Sequence, residues 1–204
     1  MIFTYQDLEP IDLNRVNQIA KEAGAAILGI YNLPPESIGL TLKDDQSPLT
    51  AADKLSHEVI FKALTALTPH IPIISEEGRD IPYEIRKNCP YFWCVDPLDG
   101  TREFIKHNGE FTVNIALIHQ NTPVLGIIYI PVTGELYYGG QNIGSWKEIL
   151  DGAATRLHAD TSSTSWIAAG SRSHASPEET AVLSQYPIKE TISVGSSLKF
   201  CLIA

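Results

Sequence analysis

Four carboxylates stand where two short apolar runs end. Ile73-Ile74 leads into Ser75-Glu76-Glu77-Gly78, and Tyr91 to Val95 leads into Asp96-Pro97-Leu98-Asp99-Gly100-Thr101. Taken alone, Glu76 and Glu77 read as surface acids beside a turn. Asp96 and Asp99 are harder to set aside: the proline fixes φ and the glycine admits positive φ, which predicts a tight turn with an acid on each side. Like charges held close repel unless a cation neutralises them. Oxygen-only donors favour Mg²⁺ or Mn²⁺ over zinc. Two such ions, roughly 3.5–4 Å apart, would clamp an in-line phosphoryl displacement. A calcium loop fits less well, because its acids alternate along one segment instead of coming from two.

Rigid elements must position these acids. Leu13, Val16, Ala20, Ala23, Ile27 and Ile30 recur at spacings of three and four, predicting one amphipathic helix in which Gly24 and Gly29 either weaken the helix slightly or let another element approach. Lys43 to Pro48 is a polar loop. Thr50 then predicts a helix cap with Asp53 as capping-box partner, and Ala52, Leu55, Val59 and Ala63 as the inward face. Asp53 thus has a purely structural role open to it. The runs ending at Ser75 and at Asp96 read as strands, and strand ends hold side chains firmly at a sheet's rim. Thr112–His119, Pro123–Ile130 and Glu135–Gly139 read as an antiparallel meander.

Around Gly152 to Ser163 the chain turns polar, which divides it into residues 1–150, an α+β part carrying the acids, and residues 151–204, the start of an α/β part. In the second part Ser165–Ala169 and Thr191–Val194 read as strands. Ser176-Pro177-Glu178-Glu179 reads as a helix start. Gly195-Ser196 opens a last helix carrying Leu198, Cys201, Leu202 and Ile203, and Ala204 follows with neither cap nor polar tail. That pattern is the one expected of a fragment of a longer chain.

Composition narrows the class. In 204 residues, 15 Lys and Arg against 24 Asp and Glu give a net charge of −9, and 44% of residues are hydrophobic. Such a chain can bury a core and repels nucleic-acid polymers and anionic lipid. A phosphate ester would need a local attraction, for which a divalent cation is the obvious source. Cys89, Cys94 and Cys201 form no C-x-x-C pair, and Cys94 is expected as a buried apolar residue of its run. No apolar stretch marks a leader or a transmembrane segment, so a reducing cytoplasm is the expected location.

Trp93-Cys94-Val95-Asp96-Pro97-Leu98-Asp99-Gly100-Thr101, preceded by Ser75-Glu76-Glu77, resembles the inositol monophosphatase superfamily of metal-dependent, lithium-sensitive phosphatases. The stretches Gly109 to Leu117, Ser171-Arg172-Ser173-His174 and Gly195 to Cys201 resemble its bacterial 3′(2′),5′-bisphosphate nucleotidase branch. The resemblance implies a layered αβαβα sandwich whose second part is incomplete here. It implies two or three Mg²⁺ ions, with Mn²⁺ as an alternative. Glu76, Asp96, the Leu98 carbonyl and Asp99 would hold metal; Asp96 would bridge, and Thr101, oriented by Asp53 and with Glu76, would position the attacking water. Glu76, Leu98, Asp99, Gly100, Thr101, His174, Ser196 and Lys199 would line the substrate, and Lys43 would lie near a metal. A surface histidine and a solvated helix lysine are the plainer readings of His174 and Lys199.

The implied reaction is hydrolysis of the 3′-phosphate of adenosine 3′,5′-bisphosphate to AMP, in support of sulfate assimilation. The resemblance allows a homodimer and peripheral contact with the inner membrane. The family also carries a Trp-Asp motif near its C-terminus, and none follows Lys199. The expected second metal is therefore one ligand short in this stretch. The alternatives are an inositol or sugar monophosphatase of the same superfamily, and an inactive truncated remnant.

Overall fold

The computed structural model describes residues 1–34, 39–42, 48–79, 81–150, 152–159, 164–171 and 177–203. Strands β1 (Ile2–Phe3) and β2 (Ile11–Asp12) pair and lead into helix α1 (Leu13–Tyr31). A small ribbon, β3 (Thr41–Leu42) with β4 (Pro48–Leu49), precedes α2 (Ala51–Leu67). Then follow β5 (Ile73–Ser75), the short helix α3 (Tyr83–Arg86), β6 (Tyr91–Asp99) and α4 (Thr101–Ile105). Strands β7 (Thr112–His119), β8 (Thr122–Ile130), β9 (Glu135–Gly140), β10 (Gly144–Ile149) and β11 (Thr155–Arg156) form the meander. The chain continues as β12 (Trp166–Ser171), α5 (Pro177–Leu183), β13 (Ile188–Val194) and α6 (Leu198–Cys201).

A seven-stranded sheet in the order β11-β10-β9-β8-β7-β6-β5 is the centre of the molecule. All its pairs are antiparallel except β5 with β6, which is parallel. Helices α1 and α2 pack on each other and on one face of this sheet. Between the layers lie Val16, Ile19, Ala23 and Ile27 of α1 with Trp93, Val95, Val113, Ile115, Leu117, Leu125 and Ile127 of the strands, all buried. Gly24 is what lets α1 lie so close: a Cβ there would stand 2.4 Å from the Tyr129 ring and 3.1 Å from Pro131. Strands β12 and β13 pair in parallel, with α5 between them in sequence.

Four expectations need correction. The inward face of α2 is Ala52, Ser56, Ile60 and Leu64, with Asp53; Leu55 is exposed, and Val59 and Ala63 are only partly covered. The face turns by one residue because Ser56, a polar side chain, finds a buried acceptor in the Pro97 carbonyl at 2.7 Å. Cys94 is exposed, since strand alternation sends Trp93 and Val95 inward. Asp96-Pro97-Leu98-Asp99 is no tight turn: β6 runs through it with a register shift between Asp96 and Asp99. The last helix ends at Cys201, which is buried, so Leu202 and Ile203, expected within it, follow it as exposed residues.

Candidate active site

The parallel pairing of β5 with β6 sets the two acidic strand ends side by side. Ser75 lies opposite Val95, and the next amide, Glu76 N–H, donates to the Val95 carbonyl at 3.0 Å. Helix α2 ties down both ends. Ser56 donates to the Pro97 carbonyl, and His57 Nδ1 lies 2.9 Å from Ser75 Oγ. The carboxylates are therefore carried by neighbouring backbone held from behind by one helix.

Asp96 is the electrostatic centre. Burial first, then the charges of Glu76 and Asp99, push its carboxyl up to about 8. Its Oδ1 accepts from the Leu98 amide at 3.2 Å across the irregular part of β6. Among the described residues no three His, Cys, Asp or Glu side chains converge on one metal-sized point. The sets that the resemblance implies ask for less: Glu76, Asp96 and the Leu98 carbonyl for one ion, Asp96 and Asp99 for another. Crowded, partly buried, oxygen-only donors are the environment that a hard divalent cation relieves, so the residues present fit such an ion.

Behind this group stands a second one. Thr50 caps α2, its Oγ1 accepting from Ala52 N–H at 3.2 Å. Asp53 completes the box: Oδ2 accepts from Thr50 N–H at 2.7 Å and from Thr50 Oγ1 at 2.5 Å. Its other oxygen, Oδ1, accepts from Thr101 Oγ1 at 3.1 Å, and Thr101 Oγ1 lies 3.4 Å from the Leu98 carbonyl. Asp53 is 1% exposed, and burial raises its pKa against the hydrogen bonds from Thr50 and Thr101, which lower it. One carboxylate thus serves the helix cap with one oxygen and reaches the acidic strand end with the other.

Gly100 has φ +97°, and a Cβ there would meet the Glu110 carbonyl oxygen at 2.8 Å and Ser196 Cβ at 3.2 Å. Ser196 therefore lies against the start of α4. Lys199 donates its ammonium to the Ser196 carbonyl and stands over the Phe200 ring at 5.4 Å. Glu76, Asp96, Leu98 and Asp99 thus line one rim, with Asp53 and Thr101 behind it and Ser196 beside Gly100. His174 and Lys43 lie outside the described residues. The sequence reading did not single out Ser56, Thr112, Asn114 or Ser197. Asn114 pairs in register with Asp96 and Thr112 with Asp99, and Asn114 Nδ2 donates to Asp99 Oδ2 at 3.3 Å. A polar residue interrupting the apolar run from Thr112 to Leu117 was the signal available for it.

Residues 7–204 match the inositol monophosphatase family. A 3′(2′),5′-bisphosphate nucleotidase CysQ of Salmonella typhimurium is 46% identical over 192 residues, covering 94% of this chain and 76% of the relative. The protein of that name from Escherichia coli strain K12 is 44% identical over 193 residues, with the same coverage. The crystal structure of CysQ from Bacteroides thetaiotaomicron, a bacterial member of the inositol monophosphatase family, matches with a TM-score of 0.77 at 38% identity, over 94% of this chain and 76% of that one. An IMPase of Thermotoga maritima, at 16% identity and a TM-score of 0.73, shares the fold. A bulged strand end carrying Asp96 and Asp99 beside Glu76, in a chain matched from residue 7 to residue 204, belongs to the inositol monophosphatase family.

Proposed function

We propose that this protein is a metal-dependent phosphatase that removes the 3′-phosphate of adenosine 3′,5′-bisphosphate and leaves AMP. The identity of 44–46% to bisphosphate nucleotidases supports the substrate class. The observation that carries the chemistry is the Thr101 hydroxyl, held 3.1 Å from buried Asp53 and 3.4 Å from the Leu98 carbonyl. That hydroxyl has one proton, and the closer, charged acceptor is Asp53. Its lone pairs are then left to accept from a water molecule, which aims the water's oxygen at phosphorus. Asp53 holds the arrangement because its own position is fixed twice by Thr50.

Glu76, Asp96 and the Leu98 carbonyl would hold one divalent ion, and Asp96 with Asp99 a second. When bound, such ions lower the pKa of water and stabilise charge on the phosphoryl oxygens. Mg²⁺ is the ion we assign, with Mn²⁺ as substitute. Ser196 and Lys199 would contact the nucleotide beyond the reacting phosphate, Lys199 supplying positive charge that a net −9 lacks. Clearing adenosine 3′,5′-bisphosphate would serve sulfate assimilation in the cytoplasm. Among the described residues no helix is long and apolar enough to cross a membrane.

The test is phosphate release from adenosine 3′,5′-bisphosphate and from inositol 1-phosphate, side by side, in Mg²⁺ and in excess chelator. We expect the nucleotide to be preferred and turnover to stop with the chelator. Undiminished turnover in chelator, or preference for the inositol ester, would overturn the reading.

A further inference from the structure

The turn that follows β13 is tethered at two points, and both tethers come from the segment beside the acidic strand end. Gly195 N–H donates to Glu110 Oε2 at 2.8 Å. Two residues on, Ser197 Oγ lies 2.9 Å from Asn114 Oδ1 and 2.8 Å from Thr112 Oγ1, and Thr112 Oγ1 lies 3.1 Å from the same Asn114 oxygen. Thr112 and Ser197 are both buried. Between the tethers, Ser196 has φ +48°, a conformation uncommon for a residue other than glycine. The surroundings of Ser196 thus dictate a backbone that its own preference does not.

The hydrogen bonds fix which way Asn114 points. A carboxylate only accepts, so the amide must turn Nδ2 to Asp99 and Oδ1 to the hydroxyls. Two hydroxyl protons serve three oxygen–oxygen contacts. At most two of the three are therefore hydrogen bonds at once, and at least one hydroxyl donates to the amide oxygen. An asparagine side chain can donate to a carboxylate through Nδ2 and accept from a hydroxyl through Oδ1 at once. It joins Asp99 to a turn more than 80 residues away in sequence.

We propose that Asn114 and Ser197 are positioning residues that lock the Gly195–Lys199 turn to the Asp99 carboxylate, and so set where Ser196 and Lys199 meet the nucleotide. The proposal rests on the bisphosphate-nucleotidase reading above. Neither side chain acts on the reacting phosphate. Ser197 works through the turn alone, whereas Asn114 also orients Asp99, and this difference separates the two variants.

For Ser197→Ala we expect KM for adenosine 3′,5′-bisphosphate to rise about tenfold with kcat within about twofold, the size expected of one lost buried hydrogen bond. Mn²⁺ affinity, read by electron paramagnetic resonance on the protein without substrate, stays at the parent value. Ser197→Thr restores KM. For Asn114→Leu both KM and the Mn²⁺ dissociation constant rise. Melting curves establish that each variant is folded. A folded Ser197→Ala with parental KM, or one whose Mn²⁺ affinity falls as far as that of Asn114→Leu, overturns the proposal. Should the parent hydrolyse no bisphosphate nucleotide, the functional reading falls. Positioning is then judged by hydrogen exchange of residues 195–199, which Mn²⁺ must slow in the parent and fail to slow in Asn114→Leu.

Discussion

Asp53 has two jobs in this structure, and two substitutions separate them. As a capping residue it accepts from the Thr50 amide and hydroxyl with Oδ2; as an orienting residue it accepts from Thr101 with Oδ1. Asp53→Asn keeps the first job. Its amide oxygen can face Thr50, where both partners are donors. The amide nitrogen then faces Thr101 and donates, so the Thr101 oxygen spends a lone pair on the protein instead of on water. The stability cost is small. Burial raises the Asp53 pKa, which means that the fold disfavours the charged form, and a neutral amide escapes that penalty while losing charge-assisted hydrogen bonds. The two effects oppose, leaving a net change of about 1 kcal/mol or less and a melting shift within about 4 °C. Asp53→Ala loses both jobs. The cap is worth about 1 kcal/mol, and the hydroxyls of Thr50 and Thr101 lose their acceptor at about 1–3 kcal/mol more. That predicts a fall of about 5–15 °C. In phosphate release both variants should lose about 10³-fold in kcat, within the range of a positioned acid–base group. The reasoning fails if the folded asparagine variant keeps a large share of parental kcat, for Asp53 would then be a cap and nothing more. It fails equally if both variants melt at the same temperature, for the retained Thr50 bonds would then be worth nothing.

Other positions give independent checks. Gly100→Ala places a Cβ 2.8 Å from the Glu110 carbonyl at φ +97°, and should cost about 2–4 kcal/mol in denaturant unfolding while displacing Thr101 and lowering kcat/KM at least tenfold. Gly24→Ala meets the Tyr129 ring at 2.4 Å; despite the better helix propensity of alanine, it should lower the melting temperature by several degrees without altering KM. Tyr91 donates to Asp7 at 2.7 Å, and burial with that bond pushes its phenol up to about 12 from 10.0. The folded state therefore keeps a proton that the unfolded chain releases above pH 10, so stability from this group is full below pH 10 and is lost between pH 10 and 12. Alkaline melting curves should fall less steeply in Tyr91→Phe than in the parent over that window.

Much of the fold was legible because apolar spacing reports burial directly. Helix α1 follows its three-and-four pattern almost to the residue; the close neighbour expected at Gly24 is Tyr129, whereas at Gly29 no element approaches and a Cβ would meet nothing within 4 Å. The meander followed from runs of β-branched residues, and its antiparallel pairing holds throughout β7, β8 and β9. Strands β10 and β11 escaped notice because Gly144-Ser145-Trp146-Lys147-Glu148-Ile149 alternates too weakly to mark a buried face. Helix α2 came out one residue rotated for a different reason. Hydrophobicity assigns Leu55 inward and Ser56 outward, yet the helix is turned by polar bonds, from Ser56 to Pro97 and from Asp53 to Thr50 and Thr101.

The same distinction governs the site. Glu76, Asp96 and Asp99 could be grouped from sequence because each follows an apolar run, and adjacent strand ends bring such residues together whatever lies between them. Asn114 and Ser197 could not be grouped that way. Each is a small polar residue whose neighbours in sequence do not name its partner, and what makes them matter is a contact across 83 positions. Local sequence can announce that a side chain is polar where its neighbours are not; only the folded chain says what it holds. Charge follows the same rule. A net −9 argues against an anionic substrate, but the whole-chain sum counts Lys199 as one cation among 15 basic residues, whereas the structure sets it on the Ser196 carbonyl beside Gly100. On the function proposed above, attraction for a phosphate would be decided at that scale, where one ammonium and bound divalent ions would act at close range while acids a Debye length away are screened.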